Sequence, residues 1–580
     1  MHFLKHACVI FNFIMFSECL NIEFETISTV YLPYTYSPTP QYKLDKDAAE
    51  QMAYDADSSL IYSVGHTNVH VIDISNPKNP NMLFNKSYDN VDVTDVEVCG
   101  GHVFVAFDNL TSREDGFVDV FKGFNRSSGT LDLISHIIVG DLPDMIHPVQ
   151  DCSKVIVAVE AEPYIDTVNE KLVDKPGGIG IITFADTPYG TYSYKFVDFE
   201  KFNTRYTELE KTGVRWIYKE DNNTFSNDIE PEYITFNVDE SKAYIALQEN
   251  NAIAVFDMQT EQIEEILGLG FKNWMNYKVD VSDEDGGINM RYWTVHGMYQ
   301  PDSIKYFVHH GIGYLIMANE GDSKDYEPYF TEEVRVKDVE LSATFEGNDT
   351  RRRQMQEKSQ LGRLKISTEN GKNPETGKFD ELYAFGGRSF SIRRADTMEL
   401  VYDSGNDMEQ KTALLSSNIF NSDTEEGEMV KSMMDSRSDD KGPETESLAI
   451  GYFGDNTLIA VGNERPGTIA LYTLDERFHN IEPTFITLIS GIHRTNDTWE
   501  NLYKNREICM LDPEDMRFIQ AEQSPNGKPL LLVSGSVSGT VSIIEVSIKT
   551  TTVEDDPSGA SGLCSSKVLI MLYVSSLLLR

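Results

Sequence analysis

Basic residues are scarce in this chain: 50 Lys and Arg stand against 93 Asp and Glu in 580 residues, a formal net charge of -43 and a pI near 4.6. That balance excludes nucleic acid as a partner, because phosphate binding needs a basic surface; an acidic surface attracts cations or basic partners instead. Cysteine is scarce as well. Of six, Cys8, Cys19 and Cys564 fall in terminal segments that read as processed, which leaves Cys99, Cys152 and Cys509. Three cysteines make no disulfide scaffold, and no CxxC spacing of a zinc site occurs. The chain also lacks a Gly-x-Ser-x-Gly elbow, a P-loop and a His-Glu-x-x-His run. Its histidines are scattered, with His309 and His310 reading as a turn pair before Gly311. Disorder is excluded by 40% hydrophobic and 11% aromatic residues.

What is present is a repeat. Similar units cover 48–80, 92–124, 142–185, 230–270, 301–403, 442–475 and 512–546, each an apolar strand, a turn, a second apolar strand, a Gly or Asn, and a third strand. Short β-rich runs recurring at such intervals are the signature of a propeller. Seven units predict an all-β fold, a seven-bladed β-propeller of the YVTN or WD40 kind. The last unit stops after its third strand, whereas 27–32, ahead of the first unit, is a strand without a partner. The amino-terminal strand is therefore expected to close the ring by completing the last blade. One domain over 24–549 suffices, since each repeat adds its own core.

Acids punctuate the repeats. Asp144 pairs in spacing with Glu160, Glu232 with Glu249, Asp302 with Glu320, and Glu446 with Glu464, the first opening a strand and the second closing the next. A fifth opener, Glu514, has Ser536 where its closing glutamate would stand. The start of one antiparallel strand and the end of the next share a sheet edge, so each repeat brings two carboxylates together, and a ring makes these places converge. Two carboxylates about 6 Å apart repel by roughly 3 kcal/mol at an effective dielectric near 20. Calcium, with six to eight flexible oxygen ligands, offsets that repulsion better than magnesium. The competing reading is bracing, in which Arg465 neutralises part of the cluster and strand-opening acids accept N–H bonds from the neighbouring blade. Should chemistry occur, the form left open is calcium-assisted phosphate ester hydrolysis with Arg465 holding the phosphate; calcium-dependent phosphatases on propellers make it an analogy of architecture only.

Both ends read as processing signals. Residues 1–19 combine Lys5, an apolar run at 7–16 and the small-residue context Ser17-Glu18-Cys19, as in a secretory leader. Residues 550–558 read as a linker, Ser558-Gly559-Ala560 as a lipid-anchor acceptor triplet, and 559–580, with the apolar stretch 568–579, as a removed GPI tail; twelve apolar residues are too few to span a bilayer comfortably. The expectation is an extracellular protein on the outer leaflet, touching the membrane through its lipid alone. Six sequons fit that compartment: Asn85, Asn109, Asn125, Asn222, Asn348 and Asn496. Cys99 and Cys152 precede corresponding strands of adjacent blades, which predicts a disulfide between them and leaves Cys509 free.

Two charged insertions, 331–378 with Arg351-Arg352-Arg353 and 406–441 with Glu425, Glu426, Asp439 and Asp440, read as solvated loops at one face of the ring. The run 280–287 is rich in Asp and Gly but fails the EF-hand pattern, since Val281 and Tyr292 stand at ligand positions; it reads as a turn, with weak cation binding left open. Glu162 and Asp325 read as rim residues.

The runs Gln248-Glu249-Asn250-Asn251-Ala252, Asn319-Glu320-Gly321-Asp322-Ser323-Lys324-Asp325-Tyr326, Ser438-Asp439-Asp440-Lys441-Gly442-Pro443-Glu444 and Glu464-Arg465-Pro466-Gly467 resemble the signature runs of the choice-of-anchor I domain family. Further matches at 142–145, 285–289 and 524–529 spread the resemblance over nearly the whole chain between its ends. The resemblance implies a propeller-like cell-surface domain and, for animal members, a part in calcium carbonate skeleton or shell formation; it implies no established reaction. The sequence departs from the family at Gly535-Ser536, where Asn-Glu is usual, and at Val159, where Asn is usual. The reading that follows is a GPI-anchored, glycosylated propeller that binds calcium and meets a mineral surface or extracellular matrix proteins. A calcium-dependent phosphatase and a plain adhesion propeller binding a protein partner are the alternatives.

Overall fold

In the structure, a computed structural model, residues 19–110, 115–166, 171–185, 190–220 and 222–551 are described. Ser558 and the tail lie outside them, as does the expected leader apart from Cys19. The described chain is all-β and propeller-like. Its described residues form seven four-stranded antiparallel sheets, each built from consecutive strands except where an insertion or the amino-terminal strand intervenes.

The first strands of the sheets are Met52–Asp55, Val91–Cys99, Pro143–Pro148, Ile234–Phe236, Ile304–His309, Thr445–Phe453 and Met516–Ile519. Second and third strands are the buried ones: Leu60–Gly65, Lys242–Leu247 and Leu530–Gly535 bury nearly every residue. Such continuous apolar runs belong to strands covered on both faces. Fourth strands are the exposed ones, as in Tyr192–Asp198, where Ser193 and Lys195 face solvent. Burial therefore falls from the middle of each sheet to its outer edge.

Apolar clusters join successive sheets. Val64 and Val69 of sheet one meet Val103 and Phe107 of sheet two, and Phe104 and Val118 meet Val155 and Ile182 of sheet three. A large cluster links sheets three, four and five through Ile156, Ile245 and Leu315. Ile316 then packs with Ile459, and Ala460 with Leu531. Leu530 and Ile543 of sheet seven return to Met52 and Ile61 of sheet one, where the Met52 N–H also donates to Asp515 Oδ2 at 3.3 Å. The unpartnered amino-terminal strand, Cys19–Tyr31, pairs antiparallel with Thr540–Thr551 and supplies the fourth strand of sheet seven. It is longer than the hydrophobic pattern at 27–32 indicated, because its outward half alternates with polar residues.

The insertions correct the expectation of solvated loops. Within 331–378, Val336, Phe345, Met355, Leu361, Leu364 and Ile366 bury against Trp274 and Trp293 in a core of their own. Arg351 lies on the short helix Asp349–Met355, paired with Glu346 at 2.8 Å. In 406–441, Glu425 and Glu426 are exposed as expected. Asp439 and Asp440 are buried instead, held by Arg363 at 2.7 Å and Lys365 at 2.9 Å. Charge density concealed these segments because their apolar residues are widely spaced and their acids are paired across the two insertions.

Candidate cation-binding mouth

The strand ends place the acids. Glu232, Asp302 and Glu514 each stand two residues before a first strand. Asp144 and Glu446 lie at register shifts, between Pro143 and Met145 and between Thr445 and Leu448; such bulges re-aim side chains. Closing glutamates follow second strands, and backbone bonds tie the closing segments to the opening ones: Glu160 N to Leu142 O at 2.9 Å, Glu464 N to Glu444 O at 2.8 Å, Glu232 N to Ala246 O at 3.1 Å.

The Asn of the Asn-Glu runs explains why that pair recurs. Asn463 accepts from Thr445 Oγ1 at 3.0 Å and donates to Thr468 Oγ1 at 3.1 Å, locking three strands together one residue before Glu464. Beyond Glu320, Gly321 and Gly386, with φ of 97° and 76°, pass so closely that a Cβ on either would overlap the other strand's backbone. Glycine is required there.

The acids of different sheets meet. Ligand oxygens of Asp302, Glu320 and Glu446 lie within 4.8 Å of one another, as do those of Glu320, Glu444 and Glu464, and those of Glu446, Asp512 and Glu514. Glu320 and Glu446 are each shared, so the three groups interlock across sheets five, six and seven. On the other side, Asp144, Glu160, Glu232 and Glu249 face one another across sheets three and four. Burial pushes Glu160 well above the usual carboxylate range, and Asp144 and Glu249 push it further. Glu232 is raised by burial and then by Glu249, Glu160 and Asp302, which joins the two halves. Asp144 is raised by burial to about 6. Glu446 and Glu464 are likewise pushed up, by burial first and then by neighbouring acids.

Partners are unequally shared. Lys441 Nζ lies 2.8 Å from Glu320, 3.5 Å from Asp322 and 3.6 Å from Glu444. Burial would raise Glu444, yet Lys441, Arg437 and Arg465 outweigh it and hold that carboxylate low. Arg465 pairs with Glu464, as the neighbouring positions suggested, and Lys324 serves Glu230 at 2.9 Å. By contrast Glu232 Oε2, Glu249 Oε2, Glu446 Oε2 and Asp512 Oδ1 are buried with no hydrogen-bond partner. A buried charged oxygen left unpaired is expensive. Glu446 and Asp512 belong with Glu514 to one close group, which offers a donor set for a hard cation, while Glu232 and Glu249 lie on the other side of the mouth.

Sequence reasoning missed several members. Glu50 stands two residues before Met52, the same offset as Glu232, and is pushed up by burial. Glu230, Glu444 and Asp512 also belong to the mouth; each lies next but one to an opener already recognised. Lys324 and Lys441 were visible as the lysines inside the Asn-Glu-Gly-Asp and Asp-Asp-Lys-Gly runs. Ser536, in place of a closing glutamate, donates to Asp512 Oδ2 at 2.9 Å. Glu162 and Asp325 lie at the edge, the latter exposed.

Elsewhere, Cys99 and Cys152 are disulfide-bonded with Cα atoms 5.8 Å apart, and Cys509 is a buried free thiol. Asn85, Asn125, Asn222, Asn348 and Asn496 are exposed and Asn109 is half-buried at a strand end. His309 and His310 do form the turn between two strands, both against the Phe478 carbonyl. No helix of the described residues is long and apolar enough to cross a membrane.

The profile of the choice-of-anchor I domain matches residues 50–477. Gigasin-3a of Magallana gigas is 41% identical over 186 residues, covering 32% of this chain and 64% of its own. The mesenchyme-specific cell surface glycoprotein of Strongylocentrotus purpuratus is 32% identical over 389 residues, covering 61% of this chain and 46% of its own. The chain thus spans less than two thirds of either relative. Among solved structures, the β-propeller domain of Myceliophteria thermophila Cps50 (Swd1) covers 90% of this chain and 100% of its own with 7% identity and a TM-score of 0.39, a likeness too slight to add to the sheet topology.

Proposed function

The chain belongs to the choice-of-anchor I family, and on that premise we propose that it is an extracellular, cell-surface glycoprotein whose seven sheets are the blades of a closed propeller and whose acidic mouth binds calcium. The observation that carries the reading is the set of four buried, unpartnered carboxylate oxygens on Glu232, Glu249, Glu446 and Asp512. The close oxygen groups, Glu446 with Asp512 and Glu514, Glu446 with Asp302 and Glu320, and Glu320 with Glu444 and Glu464, are where a cation supplies the counter-charge that Lys441 and Arg465 give to only part of the cluster, with Asp144, Glu160, Glu232 and Glu249 facing them. The name of one relative, a cell surface glycoprotein, supports the surface location, and the exposed sequons fit it. Attachment through a GPI lipid at Ser558 accords with the terminal sequence; phosphatidylinositol-specific phospholipase C is expected to release the protein from intact cells, and retention after complete treatment contradicts the anchor. Deposition of matrix or calcium carbonate mineral is the role this reading serves.

Thermal unfolding tests the metal directly, because a ligand bound only by the folded state stabilises it by about 2.7 kcal/mol at a hundredfold excess over Kd. Calcium is expected to raise the Tm, and Glu320→Gln with Glu464→Gln to remove most of that rise while leaving the fold intact. Bracing predicts the reverse: no calcium response in the parent and a double variant that is destabilised without metal. One observation favours a second reading, phosphate ester hydrolysis: Arg465 Nε is buried beside the mouth without a hydrogen-bond partner. Turnover of a phosphate ester that requires calcium and is lost in Arg465→Lys separates hydrolysis from binding alone.

A further inference from the structure

Away from the ring mouth, the loop at 280–289 meets the second insertion. Gly286 and Gly287, with φ of 99° and 116°, curl the loop, and Asn289 cinches it: its N–H bonds Asp280 Oδ2, and its Nδ2 bonds Asp285 Oδ1 at 3.0 Å and the Gly287 carbonyl at 2.9 Å. Asp280 and Asp285 are thereby brought to one side. Asp435 arrives from the opposite strand of chain, only 3% exposed. Its Oδ1 accepts from Ser438 Oγ at 2.6 Å, while its Oδ2 is buried with no partner. Ligand oxygens of the three aspartates lie within 4.8 Å of one another.

We infer that Asp280, Asp285 and Asp435 form a second site for an oxygen-seeking divalent cation, calcium by chemical class, that pins the loop to the insertion. No ion pair among the described residues reaches any of the three. The buried cation nearby, Arg388, is committed to Glu409 at 2.8 Å, the Ser438 carbonyl at 2.9 Å and the backbone carbonyl of Asp280, and pairs with none of the three carboxylates. Three carboxylates collected around an unpartnered buried oxygen, with no protein cation assigned to them, are compensated by a metal and its waters. Burial raises Asp280 to about 7 and Asp435 to about 8, which accords with a missing counter-charge. The site shares no residue with the ring mouth. It fits the weak, millimolar to submillimolar range of extracellular calcium modules, and its consequence is order in an insertion at the mouth's edge.

Tryptophan-sensitised terbium luminescence reads this site, since Trp293 Nε1 donates to the Val279 carbonyl, one residue from Asp280, at 3.2 Å. Full-length protein is expected to give sensitised emission that calcium displaces. Asp435→Asn, which keeps the shape and tolerates the φ of 78°, and Asp285→Asn, at a half-exposed position, are each expected to weaken terbium binding at least tenfold. Asp239→Asn, at an exposed turn outside both acid clusters, is expected to leave the emission unchanged, and Glu446→Gln to remove no more than the ring mouth's own share of it. Folded Asp285→Asn protein that binds terbium as the parent does overturns the proposal, as does emission that disappears in Glu446→Gln. Should Asp435→Asn fail to fold, Asp285→Asn alone decides.

Discussion

Two arcs of the sheet array differ in what reaches the acids at their first strands. Where sheets seven, one and two meet, acids brace: Asp515 accepts the Met52 N–H at 3.3 Å, Asp95 accepts the Ile146 N–H at 2.8 Å, and Arg517 spans Glu97 at 2.8 Å and Asp515 at 3.1 Å. Burial would raise Glu97, but Arg517 outweighs it and the carboxylate is held low. Across sheets three to six the openers Asp144, Glu232, Asp302 and Glu446, one position earlier than Asp95 and Asp515, accept no N–H from a neighbouring sheet among the described hydrogen bonds, and Glu446, buried beside Glu514 and Asp512, is pushed up. Adjacent positions of the strand start thus have two outcomes, set by whether a cation or a backbone donor arrives. On the proposed reading, bracing and cation binding fall on different residues, and largely on different arcs.

The comparison can be broken at its covalent point first. The bond between Cys99 and Cys152 joins sheets two and three at the ends of their strands remote from the acids and spans 53 residues. Loop-closure entropy assigns it about 4 kcal/mol. Cys99→Ser with Cys152→Ser is expected to lower stability by that order in chemical denaturation while leaving the calcium-induced rise in Tm unchanged; loss of the calcium response would show that the two arcs are not separate. A smaller effect belongs to Arg517→Met, which strands Glu97 and Asp515. Breaking a buried pair costs about 3 kcal/mol, and that loss should appear equally with and without calcium.

Much of this was legible in the sequence, for a physical reason. Strand-opening and strand-closing positions are fixed by the period of the repeat, so the eight acids from Asp144 to Glu464 could be placed at one edge before their contacts were known. The pairing of 27–32 with the last repeat followed from an unmatched strand. Cations were harder to foresee. Lys441 and Lys324 reach the mouth from insertions and connecting runs that no periodicity governs, and Arg517 points inward from a strand position whose neighbours read as ordinary alternation. The two insertions hid their core because Val336, Phe345 and Leu361 are too far apart to form an apolar run. Asp435 likewise lies over a hundred residues from Asp280 and Asp285, with no spacing to link them.

The acidic arc has a distinct signature in pH. Asp144 is held by burial at about 6, above the ordinary value near 4. A group with a raised folded pKa binds its proton more tightly in the fold than in the unfolded chain. Its protonated form therefore adds stability, fully present below about pH 4 and lost as the pH climbs through about 6. Glu160, Glu232, Glu446 and Glu464 shift the same way. Metal-free protein is accordingly expected to lose stability between pH 5 and 7.5, modestly, with calcium restoring more at pH 7.5 than at pH 5. In Glu232→Gln with Glu446→Gln the slope should flatten; an unchanged slope places its origin outside the mouth.

Titration calorimetry of calcium into the purified extracellular region tests the central claim most directly. With the second site silenced by Asp285→Asn, binding at or below millimolar calcium, diminished at least tenfold by adding Glu232→Gln with Glu446→Gln and retained on adding Arg517→Met, is the predicted result. Absence of calcium binding at millimolar concentration, or binding untouched by removal of those two glutamates, would contradict it.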